Sequence, residues 1–280
     1  MTDHDPAALV ARLDATARRS ATAFDGGRMV WRRWGAGPPV VLVHGASGSW
    51  THWLRNVEAL AERCTVLVPD LPGFGDSDTL PEPHTAERLA DALAAGLDAE
   101  LPAPAPVDLV GFSFGGIVGG LAAARPGARV RRLVLIGPGG MAFRSEAGTL
   151  ALARVAPGMS EAEVREVHRA NLRTLMLGDP AAADDLAVHL QAENLRRARF
   201  RSGTIPTSDV LLRAMPAVRA RIAVIFGERD AFAVPYLDER RETFARLQPG
   251  LDFRVVKAAG HWVIYEAAVA VNRALREMLG

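Results

Sequence analysis

A serine, an aspartate and a histidine, widely separated in the chain, each follow a short apolar run. Ser113 stands in Gly111-Phe112-Ser113-Phe114-Gly115, a G-x-S-x-G preceded by Val107, Leu109 and Val110. That pattern belongs to a sharp turn from strand to helix, with glycines where a side chain would not fit. Such a turn lifts the serine hydroxyl above a sheet and aims backbone N–H groups at a helix N-terminus, where negative charge is stabilised. A serine hydroxyl is a weak nucleophile until a base takes its proton, and the base needs an acid to orient it. Both occur downstream. Residues 222–226 run into Gly227-Glu228-Arg229-Asp230, and residues 253–256 lead into Ala258-Ala259-Gly260-His261-Trp262. In an open parallel sheet, ligands bind beyond the C-terminal strand ends. Ser113, Asp230 and His261 all fall there, in the order serine, acid, histidine, with Glu228 the competitor for the acid's place.

The elements that must position these residues follow from hydrophobic periodicity. Residues 1–18 read as a weak amphipathic helix or a frayed end. Residues 20–24 and 28–34 flank Asp25-Gly26-Gly27 as a hairpin. Strands are expected at 40–43, 65–68, 107–110, 130–136, 222–226 and 253–256. Helices are expected near 52–63, 85–101, 235–247 and 262–279. Strands alternating with helices imply an α/β fold, a mostly parallel central sheet with helices on both faces. Between residues 141 and 215 the alternation breaks. Helical patterning at 161–177 and 181–199 appears there without a strand. Its two flanks belong to one sheet, so the block reads as a helical lid, with residues 1–140 and 216–280 forming the core. Leu172, Leu175, Met176 and Leu177 could face either that core or a pocket.

Composition excludes several classes of function. The 280 residues are 49% hydrophobic and 23% charged, with a net charge of +1. That is ordinary for a globular protein and recommends neither nucleic acid nor an anionic membrane as a partner. Cys64 is the single cysteine, which excludes an internal disulfide; it opens an apolar run and reads as a buried structural thiol. The N-terminus lacks the basic start and apolar core of a signal peptide, and no window approaches the roughly 18 apolar residues of a membrane span. A cytoplasmic protein acting on a small molecule, without metal or cofactor, is the expectation; a homodimer is compatible with it.

Taken together, His44-Gly45, the Asp70-Leu71-Pro72-Gly73-Phe74-Gly75-Asp76-Ser77 loop, Gly111–Gly115, Gly227-Glu228-Arg229-Asp230 and Gly260-His261 resemble the α/β-hydrolase superfamily. The resemblance runs from about residue 24 to the C-terminus. It implies Ser113 as nucleophile, His261 as general base and acid, and Asp230 as its orienting partner. It also implies an oxyanion hole from the backbone N–H groups of Ala46 and Phe114, with His44 ordering the oxyanion loop. His4, His52, His84, His168 and His189 have no motif around them.

The ending Gly260-His261-Trp262 is similar to that of the meta-cleavage-product C–C bond hydrolases and related carboxylesterases. In the former an arginine holds a substrate carboxylate, and Arg196, Arg197 or Arg199 could serve, although an arginine run on a helix also reads as a solvated face. The His44–Ser49 loop lacks the glycine- and proline-rich form of those enzymes. Trp50, Phe112 and Trp262, together with Trp53 and Phe114, could line an apolar acyl or aryl pocket or belong to the core. Epoxide hydrolases and haloalkane dehalogenases place an aspartate at the elbow, where this chain has Ser113. The implied activity is hydrolysis of small to medium apolar carboxylic esters, with C–C cleavage of a dienoate as the alternative. A non-catalytic receptor or scaffold on the same fold is the reading from another class.

Overall fold

Side chains alternate across a strand, and here the alternation fills both faces of the sheet. Val41, Val43, Leu109, Leu133, Leu135 and Val224 join one buried cluster, while Val40, Leu42, Val110, Val134, Ile136 and Ile225 join the other. Strands buried on both faces are those of a parallel sheet covered by helices. The computed structural model describes residues 5–280 other than residue 103, so His4 lies outside the described residues.

The chain opens with α1 (Pro6–Ala15) and the antiparallel hairpin β1 (Arg18–Phe24) and β2 (Gly27–Trp34). Then come β3 (Pro39–Val43), α2 (Val57–Ala61), β4 (Thr65–Pro69), α3 (Ala86–Glu100), β5 (Val107–Phe112), α4 (Phe114–Ala123) and β6 (Val130–Ile136). Helices α5 (Glu161–Asn171), α6 (Asp185–Arg197) and α7 (Val210–Ala214) separate β6 from β7 (Arg221–Gly227). The chain closes with α8 (Leu237–Leu247), β8 (Asp252–Val256), α9 (Val263–Glu266) and α10 (Ala268–Leu279). The eight strands lie in the order β1-β2-β4-β3-β5-β6-β7-β8, parallel from β4 onward. The chain winds outward in one direction through β4 and then crosses to β5 on the other side of β3. The loops leaving β3 and β5 therefore diverge above a crevice, the place where such sheets bind ligands. No helix among the described residues is long and apolar enough to cross a membrane.

Several helices are shorter than their periodicity suggests. The one expected at 52–63 splits into a 3₁₀ turn, Trp50–Trp53, and α2; Asp70 Oδ1 accepts the Trp50 N–H (2.7 Å) and fixes the entry of that turn. The one at 161–177 ends at Asn171 and continues as a π turn, Leu172–Met176, whose last carbonyl accepts the Trp262 N–H (2.7 Å). The one at 262–279 breaks at Ala267, whose backbone leaves the helical region. Cys64 is half-buried beside Thr65, not fully enclosed. Strand β5 also carries a charge: Asp108 is buried and accepts two hydrogen bonds from Arg131 (3.0 and 2.6 Å).

Leu109, fully buried on β5, should be costly to truncate. Leu109→Ala is expected to lower stability by about 2–5 kcal/mol in a urea melt. Val269→Ala, at a position 87% exposed, is expected to stay within about 0.5 kcal/mol of the parent.

Candidate active site

The elbow is built from close backbone contacts. Ser113 alone separates β5 from α4 and has φ 53° and ψ −115°, a region where a non-glycine residue is strained. A Cβ on Gly111 would meet Gly115 O and Gly116 Cα, and one on Gly115 would run into the carbonyls of Val43 and His44. Glycine at both positions lets α4 start directly against the end of β3. The Ser113 hydroxyl then stands at the C-terminal edge of the sheet, 3.0 Å from His261 Nε2.

His261 is carried by the loop after β8. It is enclosed by the rings of Phe232 and Phe112, 4.4 and 5.2 Å away between centroids. Its Nδ1 lies 2.9 Å from Asp230 Oδ2. Asp230, in the loop after β7, is 1% exposed, and its other oxygen accepts the Phe232 N–H (2.9 Å). Glu228 turns away and accepts the Ala258 N–H (2.9 Å) instead. Hydroxyl, imidazole and carboxylate thus form one hydrogen-bonded line. Such a line can take a proton from the hydroxyl and hold the resulting imidazolium against a carboxylate.

The loop after β3 supplies the other wall. The backbone N–H groups of Ala46 and Phe114 have no hydrogen-bond partner among the described residues. Two buried histidines shape this loop. Leu71 N–H donates to His44 Nε2 (3.0 Å), so the proton sits on Nδ1, which faces Gly45 O (2.8 Å). Gly45 N–H donates to His52 Nδ1 (3.2 Å), so His52 carries its proton on Nε2. Burial pulls the His44 pKa down, and it pushes that of His52 down to about 3 with the help of His44 and His261 nearby. Both rings are therefore neutral in ordinary buffers. Behind them Asp70, fully buried, receives Arg32 Nη1 (2.9 Å) and Asp76 N–H (3.0 Å). From α6, Asn194 Oδ1 accepts the hydroxyls of Ser49 (2.7 Å) and Thr51 (3.2 Å).

Sequence reasoning passed over His52 and Asn194. The available signal for His52 was Gly48, where a Cβ would collide with the His52 ring.

A cavity of about 350 Å³ opens over Ser113 and His261. Pro138, Phe143, Leu175, Phe226 and Phe232 give it apolar walls, and Arg240 contributes a cation. The aromatic residues singled out in the sequence lie outside that lining. Trp50 packs on Trp34 and beneath Arg32, Phe112 lies beneath His261 and His52, and Trp262 stacks on Tyr265. Nor do Arg196, Arg197 and Arg199 line it. Arg196 pairs with Glu193 on its own helix, Arg197 with Asp76, and Arg199 with Thr79 and the Ser77 carbonyl. Of the four residues left between core and pocket, Leu172 and Leu177 are buried in the core, Met176 packs against it, and Leu175 lines the cavity.

Comparison with known proteins agrees with this architecture. Residues 40–274 match the model of the Alpha/beta hydrolase family. The pimeloyl-[acyl-carrier protein] methyl ester esterase of Chromobacterium violaceum is 35% identical over 207 residues, covering 70% of this chain and 78% of that protein. The 2-hydroxy-6-oxo-2,4-heptadienoate hydrolase of Pseudomonas putida is 34% identical over 231 residues, covering 79% of this chain and 74% of that protein. Among solved structures, the meta-cleavage product hydrolase of Pseudomonas fluorescens IP01 superposes with a TM-score of 0.73 at 23% identity, over 93% of this chain and 97% of that one. That last likeness concerns the fold alone.

The buried, neutral His52 makes stability depend on pH. Between about pH 6.5 and 3 the unfolded chain binds a proton here that the folded chain does not, so acid destabilises the fold through this group. His52→Asn should reduce the slope of unfolding free energy against pH in that window by up to about 1.4 kcal/mol per pH unit, read from urea melts of both proteins at several pH values.

Proposed function

The chain belongs to the alpha/beta hydrolase family and is a hydrolase of that fold; on this premise we propose that it cleaves carboxylic esters through Ser113, His261 and Asp230. The observation that carries the reading is the hydrogen-bonded line from Ser113 Oγ to His261 Nε2 and from His261 Nδ1 to Asp230, at the mouth of a mostly apolar cavity.

In this reading Ser113 Oγ attacks the ester carbonyl carbon while its proton passes to His261 Nε2. The carbonyl oxygen becomes an oxyanion and is met by the N–H groups of Ala46 and Phe114. Asp230 stabilises the imidazolium without itself taking the proton. The tetrahedral centre collapses, the alcohol leaves with the proton from His261, and an acyl ester remains on Ser113. A water, deprotonated by His261, then attacks that ester; the acid departs and Ser113 regains its proton.

Residues 141–215 act as a lid over a core formed by residues 1–140 and 216–280, and they select substrate more than they perform chemistry. Support for this comes from Leu175, Pro206 and Ala147, which contribute cavity wall from that segment. A second reading, hydrolysis of a C–C bond in a dienoate, is favoured by the relative named a heptadienoate hydrolase. The ion pairs that engage Arg196 and Arg197 elsewhere count against those residues as the carboxylate clamp it was expected to use.

Turnover of p-nitrophenyl butyrate tests the ester reading. Ser113→Ala should lower kcat by on the order of 10⁶, because the three groups act as a unit. Asp230→Asn should lower it by roughly 10⁴, through the wrong imidazole tautomer. Glu228→Gln should leave it near the parent value; a loss there equal to that of Asp230→Asn would reassign the acid.

A further inference from the structure

The two buried arginines are treated differently by their surroundings. Arg32 meets three carboxylates, those of Asp14, Asp70 and Asp76. Arg240, on α8 and 3% exposed, has no carboxylate within ion-pair distance among the described residues. Its Nη1 donates to Tyr236 O (3.1 Å), and its Nη2 to Arg144 O (2.8 Å) and Phe232 O. The Phe143 ring lies 4.7 Å from its Cζ. Three of the five guanidinium N–H groups are thereby used, and the Nε–H has no partner among the described residues.

Carbonyl dipoles hold this cation in place without neutralising it. Burial lowers its pKa, against the opposing influence of Asp230 and Glu239. Glu239 is itself paired with Arg144, and Asp230 is engaged by His261 and the Phe232 N–H. A buried charge without a counter-charge is costly. A mere clasp between the loops after β6 and β7 accounts for the three hydrogen bonds but not for a full charge set beside an apolar cavity. That cavity is the one that holds Ser113 and His261.

We propose that Arg240 is an anion subsite of the catalytic cavity, and that the substrate carries a carboxylate which docks there while its ester reaches Ser113. This rests on the ester-hydrolase reading and narrows it to substrates apolar along their length and anionic at one end. The Nε–H and the second Nη1–H, left free by the three carbonyls, can each give a carboxylate oxygen a charge-assisted hydrogen bond.

Two matched pairs of esters test it. p-Nitrophenyl hexanoate against p-nitrophenyl hemiglutarate places the carboxylate on the acyl side; phenyl butyrate against 4-carboxyphenyl butyrate places it on the leaving group. The parent protein should prefer the carboxylate member of at least one pair in kcat/KM. Arg240→Gln should lower that preference ratio by roughly 10–100-fold, mostly through KM, whatever loss the two esters share. Arg240→Lys should restore part of it. No preference in either pair, or a ratio unchanged by Arg240→Gln, overturns the proposal. If no ester is turned over in a Ser113-dependent way, the ester reading itself fails, and binding decides the subsite alone. Glutarate should then raise the melting temperature of the parent protein where glutaramide does not; equal or absent shifts overturn it. The same pair of ligands decides the matter if Arg240→Gln does not fold.

Discussion

Everything at the catalytic edge of this sheet depends on how closely α4 approaches the end of β3. Gly115 lies against the carbonyls of Val43 and His44 with no room for a methyl group. Because helix and strand touch there, Phe114, the first residue of α4, starts directly against the loop that follows β3. The strained backbone of Ser113 belongs to this contact. A helix set further back would relax the turn and carry the hydroxyl away from His261.

Behind the contact lies a layer of buried, hydrogen-bonded polar groups. His44 and His52 are neutral and serve as hydrogen-bond acceptors for Leu71 and Gly45, which holds the loop after β3 from two sides. The buried Asp70 is balanced by Arg32, and through the Trp50 N–H it fixes the turn that carries His52. Buried polar groups held by several hydrogen bonds rigidify a site. Arg240, buried as well and held by backbone carbonyls, adds a cation to a cavity whose walls are otherwise mostly apolar.

The core architecture was legible because its signals are local. The buried runs at β3, β5, β6 and β7 stand out by composition, and the residues that follow β5, β7 and β8 include Ser113, the Glu228–Asp230 turn and the Gly260-His261 turn. What escaped reading depends on partners distant in sequence. Arg240 lies in the charged stretch Asp238-Glu239-Arg240-Arg241-Glu242, where nothing local separates the buried arginine from its exposed neighbour Arg241. Arg196 and Arg197 presented the converse problem: they look available in the sequence, yet Glu193 and Asp76 engage them. Trp50 and Trp262 sit beside functional motifs, but their size is used in packing, against Trp34 and Tyr265. At residues 54–56 the helix break coincides with tertiary hydrogen bonds, from Asn56 Nδ2 to Asn272 Oδ1 and from Asn272 Nδ2 to Arg55 O, that overrule a continuous apolar pattern.

The central claim is that Ser113 is a nucleophile activated by His261. The most direct measurement is reaction with a fluorophosphonate probe, with the adduct located by mass spectrometry of proteolytic peptides and its rate followed in the parent and in His261→Ala. The account predicts a single adduct on Ser113, formed far more slowly when His261 is replaced. An adduct on another residue, or labelling of Ser113 at an equal rate in both proteins, would contradict it.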